Sequence, residues 1–220
     1  MEKNFQELNS LAKYKEILKI QPINIIALTK CSELCSRIGA RNKSQKNKMR
    51  DYFAAAKTYA ELALRVAPQN SEANFVMSMV MGRLAMTGTT KEKIRAVKDI
   101  KKYADLSLKY NPNNFKAWHV VGKWYFELSN LNGFERTAAK IFYGGIPKGT
   151  YGDAIIAYEK ARSLEPTFLL NYLELAKAYR KNKEESKAIP LLKTMMTFPN
   201  KTEDDERIRS EGRNLLESLK

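Results

Sequence analysis

Apolar residues recur at three- and four-residue intervals through most of the chain, and the periodic stretches stop at regularly placed prolines. The strings ILKIQP, LALRVAP, LSLKYNP and KARSLEP close on Pro22, Pro68, Pro112 and Pro166, and MMTFP closes on Pro199. Proline has no backbone N–H to give and disfavours helix in the residue before it, so it marks helix ends. Counting from the first four prolines brings out a repeat. Ten residues on stand Ser32, Ser78, Gly122 and Ala176, all small, and thirteen on stand Cys35, Met81, Tyr125 and Tyr179, apolar or aromatic. Five residues before the closing prolines stand Ala63, Ser107 and Ala161, and twelve before stand Ala56, Ile100 and Ala154. Small residues at fixed offsets let two helices approach closely while larger side chains fill the grooves between them.

A helix-turn-helix unit repeated in this way is the tetratricopeptide (TPR) pattern, with Trp118 and Tyr158 at aromatic positions. The fold class predicted is all-α: a right-handed superhelical stack of TPR-like helical hairpins, an α-solenoid. One domain over 1–220 is expected, with an N-terminal helix, about four hairpins, an inserted helix and turn, and a C-terminal capping helix. The helices predicted are 5–20, then the pairs 24–38 and 50–67, 71–86 and 92–110, 114–129 and 151–164, and 168–181 and 184–197, then 203–219. Successive prolines are 46, 44, 54 and 33 residues apart, against a standard period of about 34. The surplus is expected between the two helices of the first three units, at 38–49, 87–93 and 131–150. In the last of these, Phe134, Ala138, Ile141 and Phe142 share a helical face, which predicts an ordered helix packed on its neighbours.

Charge changes the picture. The 39 Lys and Arg outnumber 24 Asp and Glu for a net charge of +15, a field that attracts anions. Arg41, Lys43, Lys46, Lys48 and Arg50 form a run without an acid. Cysteine does not suggest a disulfide framework: Cys31 and Cys35 lie four apart in an apolar stretch and read as core residues in a reduced compartment. With one histidine, His119, neither a hydrolase triad nor a histidine-based metal site is assembled. The stretch Gly144 to Thr150 lacks the Gly-Lys-Ser/Thr order of a phosphate-binding loop. Neither a signal peptide nor an apolar run of membrane-spanning length is seen. The chain is therefore expected to be cytoplasmic, non-enzymatic, and without metal or cofactor.

More specific strings lie in the third insertion. Ser129-Asn130-Leu131-Asn132-Gly133-Phe134-Glu135-Arg136, Phe142-Tyr143-Gly144-Gly145-Ile146-Pro147 and Thr150-Tyr151-Gly152-Asp153-Ala154 resemble the regulator of microtubule dynamics family and its bacterial relatives, as does Phe198-Pro199-Asn200-Lys201-Thr202-Glu203-Asp204-Asp205. The resemblance implies a helical repeat domain without enzymatic activity and, in animal members, association with microtubules, mitochondria or membrane contact sites.

Residues that a hairpin stack would expose on its concave face follow from the repeat. They are Phe75, Met79 and Arg83, then His119, Lys123 and Phe126, then Lys177 and Arg180. This mixture of cations and apolar side chains predicts a groove for an acidic protein segment or peptide, with an anionic phospholipid or amphiphile as the alternative occupant. Nucleic acid ranks below both, because the aromatic residues are committed to the core.

Overall fold

The computed structural model describes residues 6–133, 135–137, 140, 145 and 147–219. Among them are ten helices: α1 (Glu7–Ile20), α2 (Ile25–Arg41), α3 (Lys46–Val66), α4 (Ser71–Thr87), α5 (Thr90–Tyr110), α6 (Phe115–Asn130), α7 (Tyr151–Leu164), α8 (Leu169–Lys181), α9 (Glu185–Met195) and α10 (Asp205–Glu217). Consecutive helices pair as antiparallel hairpins α2–α3, α4–α5, α6–α7 and α8–α9, with α1 against α2 and α10 against α8 and α9. Packing divides the described chain into two compact units, Gln6–Asn114 and the residues from Phe115 onward.

The first unit departs from expectation in where its surplus residues go. They lengthen the helices instead of forming loops: α2 and α4 have 17 residues each and α3 and α5 have 21 each, while α8 and α9 in the regular last repeat have 13 and 11. Only residues 42–45 separate α2 from α3, and only Gly88 and Thr89 separate α4 from α5. The reason is local. The basic stretch holds no Gly or Pro after Gly39, and Lys and Arg are good helix formers, so Lys46 to Arg50 become the first turns of α3. At α5, Thr89 and Glu92 form a reciprocal capping box that starts the helix at once.

The small-residue register is realised in both units. Ser32 Oγ donates to the Ala56 carbonyl at 2.9 Å and Ser78 Oγ to the Ile100 carbonyl at 3.0 Å. These are the residues that the proline count placed at equivalent offsets. In α6 the equivalent residue is Gly122, where a Cβ would come within 2.6 Å of the Tyr158 ring, so glycine is what admits that ring. Tyr158 is fully buried at the centre of a core that includes Ala154, Leu173, Ala176 and Leu192. Cys31 and Cys35 are buried free thiols. Burial pushes each up to about 11 against the opposing field of Lys15, with Cys35 adding to the rise at Cys31.

The closing helix begins two residues later than predicted. The Asp205 carboxylate accepts the backbone N–H groups of Thr202 and Lys201 at 3.0 and 2.6 Å, tying down the approach to α10. Phe134, Ala138, Ile141 and Phe142, the predicted buried face of the third insertion, lie outside the described residues.

Candidate functional site

The predicted groove residues fall into both units. Phe75, Met79 and Arg83 belong to the first unit. Phe75 is a core residue, 4 % exposed, and Met79 and Arg83 are half-buried. Phe75 therefore does not offer its ring to a ligand. It follows Asn74, whose side-chain amide donates to the Pro68 and Asn70 carbonyls at 2.9 Å each and pins the start of α4.

His119, Lys123, Phe126, Lys177 and Arg180 belong to the second unit. His119 is buried, with Nδ1 3.0 Å from Asn171 Oδ1. The Asn171 amide nitrogen donates to the Tyr158 carbonyl at 2.9 Å, so its oxygen is the acceptor and His119 Nδ1 carries the proton. The ring also lies 5.0 Å from that of Phe168 and 5.3 Å from that of Tyr158. His119 is thus a latch among α6, α7 and α8, not a groove residue. Phe126, 8 % exposed, packs in the same core, 5.6 Å from the Tyr151 ring. Offsets along one helix do not show burial: the next hairpin covers His119 through Asn171 and Phe168, and Phe126 meets Tyr151 of its own hairpin.

Lys123 and Lys177 are brought together by a residue outside the predicted set. Glu174, on α8, has only 8 % of its side chain exposed. Its Oε2 is 2.8 Å from Lys123 Nζ and its Oε1 is 2.7 Å from Lys177 Nζ. Each lysine holds a second, exposed acid: Glu127 at 2.9 Å from Lys123, and Glu211 at 2.7 Å from Lys177. Burial pushes the Glu174 carboxyl upward, but the two ammonium groups outweigh it and hold the pKa at about 2. Lys123 is lowered by its own burial and raised more strongly by Glu174 and Glu127, so it stays charged. The result is a chain of five charges, acid–lysine–acid–lysine–acid, with 45 % of the Lys123 side chain and 27 % of the Lys177 side chain still facing solvent. Arg180, one turn beyond Lys177, is exposed. Glu174 has a sequence signal only in retrospect: it stands three residues before Lys177, a standard ion-pair spacing, but its bond to Lys123 spans 51 positions.

The basic run of the first unit is also redistributed. Arg41 is the last residue of α2 and lies 2.7 Å from the buried Glu7 of α1, which Arg37 also contacts. Lys43, Lys46, Lys48 and Arg50 remain exposed, around the start of α3. Among the described residues no cluster of His, Cys, Asp and Glu has the makings of a metal site. No described helix is long and apolar enough to cross a membrane.

Hairpins of this register, length and small-residue packing define a TPR-type helical repeat protein. A solved TPR protein from Thermus thermophilus, TTC0263, shares the fold, with a TM-score of 0.57 and 20 % identity over 86 % of this chain and 82 % of that one. The chain belongs to the regulator of microtubule dynamics protein 1–3 family, whose profile matches residues 1–220. Regulator of microtubule dynamics protein 1 of Caenorhabditis elegans is 26 % identical over 187 residues, 85 % of this chain and 80 % of the worm protein. The human protein 2 is 26 % identical over 170 residues, 77 % of this chain. The chain spans only 42 % of that human relative, and 60 % of the mouse protein 1.

Proposed function

We propose that this chain is a protein-interaction adaptor that takes an acidic segment of a partner at the Lys123–Lys177 pair, with Arg180 at its edge. One observation carries the reading: two lysines converge on a single carboxylate and keep part of their surface in solvent. Such a site is already shaped for carboxylates. Glu174 is the fixed inner acid, and Glu127 and Glu211 fill the outer positions.

The outer pairs are the exchangeable ones. Exposed ion pairs contribute about 0–1 kcal/mol, so a partner's Asp or Glu side chains could replace Glu127 and Glu211 at small cost. Charge would then set on-rate and selectivity more than affinity. With Phe75 and Phe126 in the core, neither ring is open to an acyl chain in the groove, which favours the acidic segment over an amphiphile there. The relatives are named for the regulation of microtubule dynamics, and a polymer that displays acidic segments is a partner of the required chemistry.

The test is the affinity of a labelled acidic peptide for the intact chain. Lys123→Glu with Lys177→Glu should remove the binding that this pair supplies, read as the loss of one bound peptide per chain, provided circular dichroism shows a native fold. Glu127→Gln with Glu211→Gln leaves the buried pairing intact and should tighten binding by removing the competing acids. Affinity unchanged in this second variant would refute the site.

A further inference from the structure

The first unit carries most of the excess charge. Residues 6–114 hold 20 Lys and Arg against 9 Asp and Glu, whereas residues 115–220 hold 18 against 14. Helix α5 concentrates it. Its buried side is formed by Ala96, Ala104 and Ser107. Diametrically opposite, positions 91, 95, 98, 102, 105 and 109 fall on one line along the helix. Five of the six are cations, Lys91, Arg95, Lys98, Lys102 and Lys109, and all five are exposed. The sixth, Asp105, is neutralised from the preceding turn by Lys101, whose Nζ lies 2.8 and 2.9 Å from its two oxygens. The line is about 27 Å long and one side chain wide.

An ordinary solvated helix face mixes signs at i, i+4 spacing, which favours the helix. Here Lys91 stands against Arg95 and Lys98 against Lys102, like-charge pairs that disfavour it and that Asp99, four after Arg95, and Asp105, four before Lys109, offset only in part. Lys91 and Lys93 also stand in the first turn, beside the positive end of the helix dipole, with only Glu92 to compensate. An anion lying along the stripe would relieve both.

We propose that the outer face of α5 is a second docking surface, and that its occupant is an extended acidic stretch of a partner polypeptide. The width selects a linear polyanion over a planar one. The spacing agrees: cations three or four residues apart on a helix are separated by about 4.5–6 Å along its axis, and alternate side chains of an extended chain by about 6.6 Å. A bilayer fits less well, because none of the large exposed apolar side chains lies on α5. This surface is independent of the Lys123–Lys177 site, which lies in the other unit and is tested by different variants.

The experiment measures binding of a fluorescein-labelled peptide of alternating Glu and Ser, about eight residues long, by anisotropy at two salt concentrations. Arg95→Glu with Lys98→Glu should weaken binding about tenfold or more and flatten its salt dependence. Lys160→Glu with Lys193→Glu, an equal change of charge in the second unit, should leave binding within about twofold of the unaltered chain. Equal losses in the two variants would mean attraction to net charge alone and would overturn the proposal. A loss confined to the Lys123→Glu, Lys177→Glu variant would overturn it in favour of the other site. Capture of phosphatidylserine vesicles through α5, with no binding of the peptide, would overturn the choice of occupant. Thermal melts settle whether a loss of binding reflects unfolding, and both reversals are on exposed positions that should leave the fold intact.

Discussion

The two units use the same repeat and meet its demands with different chemistry. In the first unit the small position is serine, and its hydroxyl reaches across the hairpin to a carbonyl of the facing helix, from Ser32 to Ala56 and from Ser78 to Ile100. In the second the equivalent position in α6 is Gly122, and the space admits the Tyr158 ring. The helices of the first unit run to 21 residues and leave most of their cations in solvent, although Arg37 and Arg41 are drawn onto the buried Glu7. Those of the last repeat are short, and lysines of the second unit are drawn onto a buried acid. Close approach can thus be secured by a hydrogen bond or by a ring against a glycine, and a basic surplus can be left outside or neutralised within.

The difference predicts unequal responses to deletion. Tyr158→Ala removes a fully buried ring and should destabilise the second unit by about 3–5 kcal/mol, whereas Ser78→Ala should cost about 1 kcal/mol. Trp118 and Trp124 both lie in the second unit, so tryptophan fluorescence in a denaturant titration reports the first variant and far-UV circular dichroism the second. A Tyr158→Ala effect no larger than that of Ser78→Ala would erase the distinction.

The buried acid sharpens the comparison through pH. Glu174 has a folded pKa of about 2 against 4.5 for the free side chain. A carboxyl whose pKa is depressed on folding contributes stability above its unfolded pKa and loses that contribution as pH falls through the folded value. The loss therefore runs from about pH 4.5 down to about pH 2 and amounts to about 3 kcal/mol. Glu174→Gln should remove this part of the acid dependence and destabilise the unit at neutral pH, since it leaves two lysines without their shared carboxylate. Stability measured by tryptophan fluorescence across this range checks both. An unchanged acid profile in the variant would show that the depressed pKa does not stabilise the fold.

How far sequence carried these conclusions depended on whether a feature was local. Prolines past helix ends, small residues at constant offsets and the Thr89–Glu92 box act over a few positions, so the hairpins and their register were legible. The helix extensions are less legible, because an unbroken basic stretch resembles a loop in charge while lacking the Gly or Pro that would stop a helix. The groove is not legible, because His119 is covered by Asn171 and Phe168 of the neighbouring hairpin, and offsets along α4 and α6 do not show that Phe75 and Phe126 are buried. The Lys123–Glu174 bond, 51 residues apart, is invisible to any local count. The α5 stripe was written in the sequence at i, i+4, i+7 and i+11, but a search for contiguous basic runs finds residues 41–50 and passes over it.

That stripe supplies the smallest and most specific expectation, because it concerns an exposed helix face and not the core of either unit. Lys98 has Arg95 three residues before it, and Lys101 and Lys102 three and four after it, all cationic. Lys98→Glu turns these neighbours from repulsive to attractive, and such helix pairs change stability by about 0.2–0.5 kcal/mol each. Screening by salt and the exposure of the site reduce the sum, so a net stabilisation of about 0.5 kcal/mol is expected, together with weaker peptide binding. The two readouts move in opposite directions, which separates a face kept cationic for a ligand from a face that is merely solvated. A solvated face would gain the stability and lose no binding, and a site that Lys98 helps to hold together would lose both.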